Sequence, residues 1–296
     1  MKIFPFKKMD AFSRGSSAGN PAGCIYLENT VAIDEMGMQK IARELKDFVN
    51  EVGYLFPVAD GFRLKFYSSE CEVEFCGHAT IAIMYDLIKE SKELLEKKEL
   101  SLYVNAGKLS VFNAIADEDA VYIMAPAPHF LSHELTAGDL ARALAIDENR
   151  VDGKQPVQVV NAGLRTLIVP LISLDACLEM YPPQEKLRSF CEANDIDIVL
   201  VYCGETHIET SQFRTRVFAP KYGYLEDPAT GSGNAAFGHY LLQRGLWTGN
   251  VTVEQGPSRE TPNIVKLRRH QKGQEERILF GGSSVLRICG NYLLHG

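Results

Sequence analysis

Two hydrophobic periods alternate along the first third of the chain. Cys24-Ile-Tyr-Leu27 reads as a short strand. From Asp34 the apolar residues Met38, Ile41, Ala42 and Leu45 fall at i, i+3, i+4 and i+7, one face of a helix with Asp34 as its N-cap. Val52 to Phe56 and the strictly alternating Phe62-Arg-Leu-Lys-Phe66 predict two strands. Ala79 to Ile88 is apolar on nearly every side, which predicts a helix inside a core. Lys89 to Glu99 reads as a charged, exposed continuation or linker. Leu102 to Val104, Lys108 to Phe112 and Val121 to Met124 predict strands around turns at Asn105-Ala-Gly107 and Asp117-Glu-Asp119.

Ala125-Pro-Ala-Pro128 breaks the pattern, because two prolines lack amide donors. The order then recurs. A helix is predicted near Asp139 to Ala145, strands at Val157 to Val160 and Thr166 to Val169, and helices near Leu174 and Leu187. Strands follow at Ile198 to Tyr202 and Arg214 to Phe218, then EDPATGSGNAAFGHYLL (Glu226 to Leu242), which opens a second all-apolar helix. Strands near Val251, Ile264, Ile278, Val285 and Tyr292 close the chain. The expected organisation is a domain over 1–124, a second over 129–280, and C-terminal strands over 281–296 available to pack back on the first. Gly77 and Gly231 lie 154 positions apart (231 − 77), each after a strand and an acidic segment and each opening an apolar helix. Asn20-Pro-Ala-Gly23 likewise echoes Asn161-Ala-Gly163, so the halves read as degenerate copies.

Composition excludes several classes. Of 296 residues 46% are hydrophobic and the net charge is −7, which is ordinary for a globular protein and gives no electrostatic footprint for nucleic acid. The basic run Lys266 to Lys272 reads as a solvated loop between strands. The N-terminal segment lacks the unbroken apolar core of a signal peptide, and no run approaches the ~18 apolar residues of a membrane span. Seven cysteines without a C-x-x-C pair, with Cys24, Cys177, Cys191, Cys203 and Cys289 inside apolar or helical patterns, fit reduced, buried thiols in the cytoplasm. Seven scattered histidines show no H-x-x-x-H or H-E-x-x-H, so no metal site is expected.

The two helix mouths carry the candidate chemistry. A helix leaves its first amides without partners and its N-terminus partly positive, so a buried mouth wants a capping side chain or an anion. Glycine there lets a ligand approach the backbone. Two such mouths facing each other across a domain interface would suit a small carboxylate and stabilise negative charge as a proton leaves. Simple capping by Asp227, Thr230 or Ser232 is the plainer alternative. A proton carrier could be His78, Cys76 as a thiol at a helix N-terminus, or Glu51, which interrupts an apolar strand. A carboxyl among apolar walls would have its pKa raised towards neutrality. Thr230 stands in the second copy where Cys76 stands in the first, which disfavours racemisation by paired thiols.

These residues resemble the PhzF-like (phenazine biosynthesis) family, whose fold is shared with diaminopimelate epimerase. The signatures are Asp10-Ala-Phe12, Gly19-Asn-Pro-Ala22, Asn50-Glu-Val52, Glu74-Phe-Cys-Gly-His-Ala-Thr80, Phe218-Ala-Pro220, Glu226-Asp-Pro-Ala-Thr-Gly-Ser232 and Glu254-Gln-Gly256. The resemblance implies an α+β fold of two pseudo-symmetric, diaminopimelate-epimerase-like domains, each a curved mixed or antiparallel sheet around a central buried helix, with the active site between them. It implies an isomerase working without cofactor or metal on a small carboxylate, with Glu51 as proton shuttle. His78, Asp227 and Ser232 match positions that bind or polarise substrate, and Asn20, Cys76, Gly77, Thr230, Gly231 and Gly233 join them in substrate binding. A homodimer is implied, and neither nucleic acid nor membrane is an expected partner. Two departures stand out: Asn50 and Val52 flank the glutamate where the family has serine and threonine, and the chain diverges after Gly256. The competing readings are an epimerase using Cys76 and a non-catalytic metabolite-binding protein.

Overall fold

The computed structural model describes residues 1–29, 31–273 and 275–295, together with the backbone but not the side chain of Lys272. Gly296, the last residue of the predicted C-terminal segment, lies outside the described residues. The chain forms two compact units, Met1–Met124 with Gly281–Gly296, and Ala125–Phe280.

The first unit contains β1 (Lys2–Ala11), β2 (Asn20–Tyr26), α1 (Glu35–Glu44), β3 (Glu51–Val58), β4 (Gly61–Ser68), β5 (Glu72–Val73), α2 (Gly77–Glu90), α3 (Lys92–Leu95), β6 (Glu99–Val104), β7 (Gly107–Asn113), α4 (Ile115–Glu118) and β8 (Val121–Met124). The second contains β9 (His129–Leu131), α5 (Ala137–Leu144), β10 (Gln158–Asn161), β11 (Arg165–Pro170), α6 (Leu174–Leu178), α7 (Gln184–Ala193), β12 (Ile198–Cys203), β13 (Phe213–Phe218), β14 (Glu226–Asp227), α8 (Gly231–Gln243), β15 (Val251–Gln255) and β16 (Asn263–Lys272). β17 (Glu275–Gly282) leads to β18 (Ser284–Leu294), which pairs antiparallel with β1 along its whole length.

Each central helix is buried because its sequence offers no polar face. α2 buries Ala79, Ile81, Ala82, Ile83, Met84, Tyr85 and Ile88. It also buries Asp86, whose charge is met by the Tyr26 hydroxyl at 2.8 Å and Lys7 Nζ at 2.7 Å. α8 buries Phe237 and Tyr240, packed with Tyr202 from β12. α1 is the amphipathic case: Met38, Ile41 and Ala42 are buried, and the Asp34 side chain accepts from the Gly37 amide as the N-cap.

Strand registers show the duplication residue by residue. In the first unit β2 runs parallel to β3, β3 antiparallel to β4, β4 antiparallel to β5 and parallel to β6, and β6 antiparallel to β7. In the second, β11, β12, β13, β14, β15 and β16 repeat that series. Val52 pairs with Tyr67 and Tyr67 with Glu72, as Val199 pairs with Phe218 and Phe218 with Glu226. By this overlay Glu51 corresponds to Ile198, Val73 to Asp227, and Gly77 to Gly231.

Several expectations need correcting. The basic run 266–272 is strand, not loop, because β16 pairs Val265 and Leu267 with β15 and buries both. Val285 and Tyr292 belong to one strand. Cys289 is exposed, since β18 presents most of its residues to solvent. Lys89 to Glu99 is not wholly exposed: α2 reaches Glu90, and Ser91 caps the short α3 that buries Leu94. Asp117 to Asp119 ends a helical turn, with Asp119 at φ 50°.

One buried group gives the second unit a pH-dependent stability. His239 on α8 is 4% exposed, its Nε2 has no hydrogen-bond partner, and burial pushes its pKa from 6.5 down to about 4. The folded protein therefore holds His239 neutral at pH values where the unfolded chain already binds a proton. Its contribution is full above pH 6.5 and is lost as pH falls towards 4, by about 3 kcal/mol in all. Urea denaturation of wild type at pH 7 and pH 4.5 is expected to show this loss. His239→Asn should lose correspondingly less over the same interval.

Candidate functional site

At the mouth of α2 the N-cap is Cys76, in extended conformation, and no side chain caps the helix. Its first turn carries no acidic residue either. The helix start is held instead by Thr80, whose Oγ1 donates to the Cys76 carbonyl at 2.7 Å. Glu51, the first residue of β3, is brought to this mouth by the strand's register with Ala22 and Ser68. Its Oε2 lies 3.2 Å from His78 Nε2, with 21% of the Glu51 and 13% of the His78 side-chain surface open. The alignment falls short of a hydrogen bond, so Oε2 is a buried acceptor without a hydrogen-bond donor. Cys76 Sγ sits 3.4 Å from His78 Nδ1. Asn20 is buried at the start of β2, with its Oδ1 3.5 Å from Asn50 Nδ2.

The charges of this trio follow from competing effects. Burial raises the pKa of Glu51, but the positive His78 outweighs it and holds the carboxyl below its usual 4.5. This overturns the expectation of a carboxyl raised towards neutrality: the apolar surroundings are there, and so is a cation in contact. Burial lowers the pKa of His78, and the neighbouring Cys76 and Glu51 carry it well above 6.5. Cys76 is pushed up by burial and by the Glu51 charge, so it rests as a thiol. Near neutral pH the trio is carboxylate, imidazolium and thiol. Donor atoms of the three lie within 4.8 Å of one another, a grouping a divalent ion could use and one that sequence spacing does not display. With His78 protonated, Nε2 offers a hydrogen and not a lone pair, so an ion binding there would have to displace that proton.

At the mouth of α8 the N-cap is Thr230, again without a capping side chain, which leaves the Gly231, Ser232 and Gly233 amides as the first of the helix. Asn234 takes the place of Thr80, its Nδ2 donating to the Thr230 carbonyl at 2.8 Å. Asp227 Oδ2 accepts from Thr230 Oγ1 at 2.6 Å. A Cβ on Gly231 would meet the Phe280 ring at 2.3 Å, so close packing demands glycine there, not ligand approach alone. Ser232 is half-buried where the first copy has His78, and Ile198 fills the place of Glu51.

The expected site residues thus fall into two groups. Asn20, Glu51, Cys76, Gly77 and His78 gather in the first unit; Asp227, Thr230, Gly231, Ser232 and Gly233 gather in the second. Gln255, fully buried and bonded to both Asp227 and Thr230, joins the second group, although sequence reasoning gives it no role beyond its place in Glu254-Gln-Gly256. Its sequence signal is weak, because the strand it closes, Val251-Thr-Val-Glu-Gln255, already carries a threonine and a glutamate.

A duplicated α+β fold with a buried helix in each copy is the architecture of the epimerase-like proteins. The comparisons agree. The family described as phenazine biosynthesis-like protein matches residues 9–290, and the chain belongs to that family. It is 28% identical to an uncharacterized isomerase of Clostridium acetobutylicum, covering 97% of each chain. It is 27% identical to the uncharacterized isomerase YfhB of Bacillus subtilis, over 96% of this chain and 97% of that one. Among solved structures, a Bacillus anthracis phenazine biosynthesis protein of the PhzF family matches with TM-score 0.87 and 25% identity, over 99% and 100% of the two chains. A probable proline racemase from Agrobacterium radiobacter matches in fold, with TM-score 0.60 and 13% identity over 99% and 93%.

Proposed function

We propose that the protein is an isomerase that moves a proton between carbons of a small carboxylate-containing metabolite, with Glu51 as the single acid–base group. The observation that carries this reading is the Glu51 carboxylate, mostly buried at the mouth of α2 beside a protonated His78 and with an oxygen lacking any hydrogen-bond donor. An ionised carboxylate there can accept a proton, as a weaker base than a free glutamate because the His78 charge lowers its pKa. Glu51 takes the proton as the C–H bond breaks, the electron pair passes into the substrate's unsaturated system, and the same carboxyl returns the proton to another carbon. His78, held positive, stabilises the negative charge that develops meanwhile. Asp227, Ser232, Thr230, Asn20 and the amides of Gly77, Gly231 and Gly233 are assigned to holding the substrate. The isomerase names of the curated relatives support the reaction class.

The duplication supports one base over two. A racemase acting on both faces of a carbon needs matched groups, and the register sets Thr230 opposite Cys76 and Ile198 opposite Glu51. The test is incubation of candidate unsaturated and amino carboxylates in heavy water, with deuterium at carbon followed by mass spectrometry. Tight carboxylate binding without deuterium uptake from any of them would turn the reading into that of a binding protein.

Two further outcomes are expected. Cys76→Ser should change the exchange rate by less than about 10-fold, since a thiol that stays protonated takes no proton from substrate; complete loss would move the base to sulfur. The pH profile of kcat/KM should be a broad bell. Activity needs Glu51 ionised and His78 protonated, so the acid limb lies below 4.5 and the alkaline limb above 6.5.

A further inference from the structure

Gln255, the middle residue of Glu254-Gln-Gly256, has each of its four hydrogen-bonding positions filled. Its Oε1 accepts from the Thr230 amide at 2.9 Å and from Asn234 Nδ2 at 2.6 Å. Its Nε2 donates to the Asp227 carbonyl at 2.8 Å and to Thr230 Oγ1 at 3.1 Å. A backbone amide can only donate and a backbone carbonyl can only accept, so the orientation of the Gln255 amide is fixed from both ends. The Thr230 hydroxyl then receives a hydrogen from Gln255, and its own single proton is left to point at Asp227 Oδ2, 2.6 Å away.

Nothing of this kind exists at the matching place in the first copy. β4 pairs Phe62 with Leu102 and β13 pairs Phe213 with Val253, which sets Gln255 opposite the buried Val104. Asp227 is opposite Val73. A glutamine and an aspartate, both buried, have therefore been placed together in one copy only. Burying them is costly unless every polar atom is matched, and for Gln255 every one is.

We propose that Gln255 is a positioning residue: it aims the Thr230 hydroxyl at Asp227 and so holds that carboxylate as a hydrogen-bond acceptor at the mouth of α8. An Asp227 held in this way meets a donor on the bound molecule and cannot supply a proton through Oδ2. The inference rests on the reading that this mouth holds substrate, but the direction of the relay does not depend on which substrate it is.

Two measurements test it. Neutron diffraction from deuterium-exchanged, unliganded protein should place a deuteron on Thr230 Oγ1 directed at Asp227. A deuteron on Asp227 Oδ2, or a Thr230 deuteron turned to Gln255, overturns the proposal whether or not any compound is ever turned over. The second is a variant series read by the heavy-water exchange assay. Gln255→Glu keeps the size and the acceptor for the Thr230 amide but lacks the N–H, so the hydroxyl turns away from Asp227; kcat/KM should fall by about 100-fold, the cost of a misplaced binding group. Thr230→Ser keeps the hydroxyl, so in that background Gln255→Glu should cost the same fold-loss as it does in the wild-type chain. In a Thr230→Val background, Gln255→Glu should add little, because the relay is already broken. A full second loss in that background would show Gln255 acting by some other route and sink the relay. If Glu51→Gln exchanges deuterium as wild type does, the isomerase reading fails, and the neutron result still decides the relay.

Discussion

Glu51→Gln should lower deuterium exchange into substrate by roughly 1,000-fold, within the 10²–10⁴ span typical of a lost general acid–base group. Glutamine keeps the size and one carbonyl oxygen of the side chain, so β3 and its register with Ala22 and Ser68 need not move. What goes is the charge opposite His78 and the capacity to take a proton. Thermal unfolding should therefore shift little while exchange collapses. The substitution also removes the Glu51 charge, which helps keep His78 protonated. The alkaline limb of whatever activity remains should move to lower pH. Equal exchange by wild type and variant would exclude Glu51 from the chemistry.

Arg214→Met is expected to destabilise the second unit by about 3–5 kcal/mol, the usual cost of stranding one member of a buried ion pair. Arg214 and Glu254 are both fully buried, with Nη1 and Oε2 3.1 Å apart. Arg214 also donates to the carbonyls of Gly256 and Ser258. Glu254 accepts from the amides of His207 and Ile208, at 3.1 and 2.6 Å. Methionine fills part of the volume but strips the buried carboxylate of its counter-charge and the two carbonyls of their donor. Urea denaturation followed by fluorescence of Trp247, the single tryptophan, reports on this unit. Arg214→Met combined with Glu254→Gln should be less destabilised than Arg214→Met alone, since the stranded charge is then gone. A double variant no better than the single would mean that the guanidinium matters chiefly for the loop carbonyls.

What the sequence displayed, and what it hid, divide along a physical line. The two buried helices were legible because residues 79–88 and 231–242 lack a polar face, and no packing partner is needed to see that. The Asp34 cap was legible for a similar reason, being a local bond. β1 was missed: Phe4 and Phe6 do alternate towards the core, but Lys7 and Lys8 follow and mask the period. The strand exists because β2 and β18 flank it, β18 from the far end of the chain, where Leu294 pairs with Lys2 and Ser284 with Ala11. The charge of Glu51 was misjudged since the cation in contact with it comes from another element. Gln255 was invisible as an actor for the same reason, its bonds reaching 25 and 28 positions back along the chain.

The overlay of Glu51 on Ile198 bears on how such a protein can change over evolutionary time. A carboxyl at position 198 would be buried beside Gly233, with Ser232 in place of an imidazolium to hold its charge. Desolvation would keep it protonated and idle. Restoring symmetry would thus demand at least two coordinated changes, the first without benefit by itself. On the proposed chemistry, therefore, no single substitution moves the acid–base group from one copy to the other.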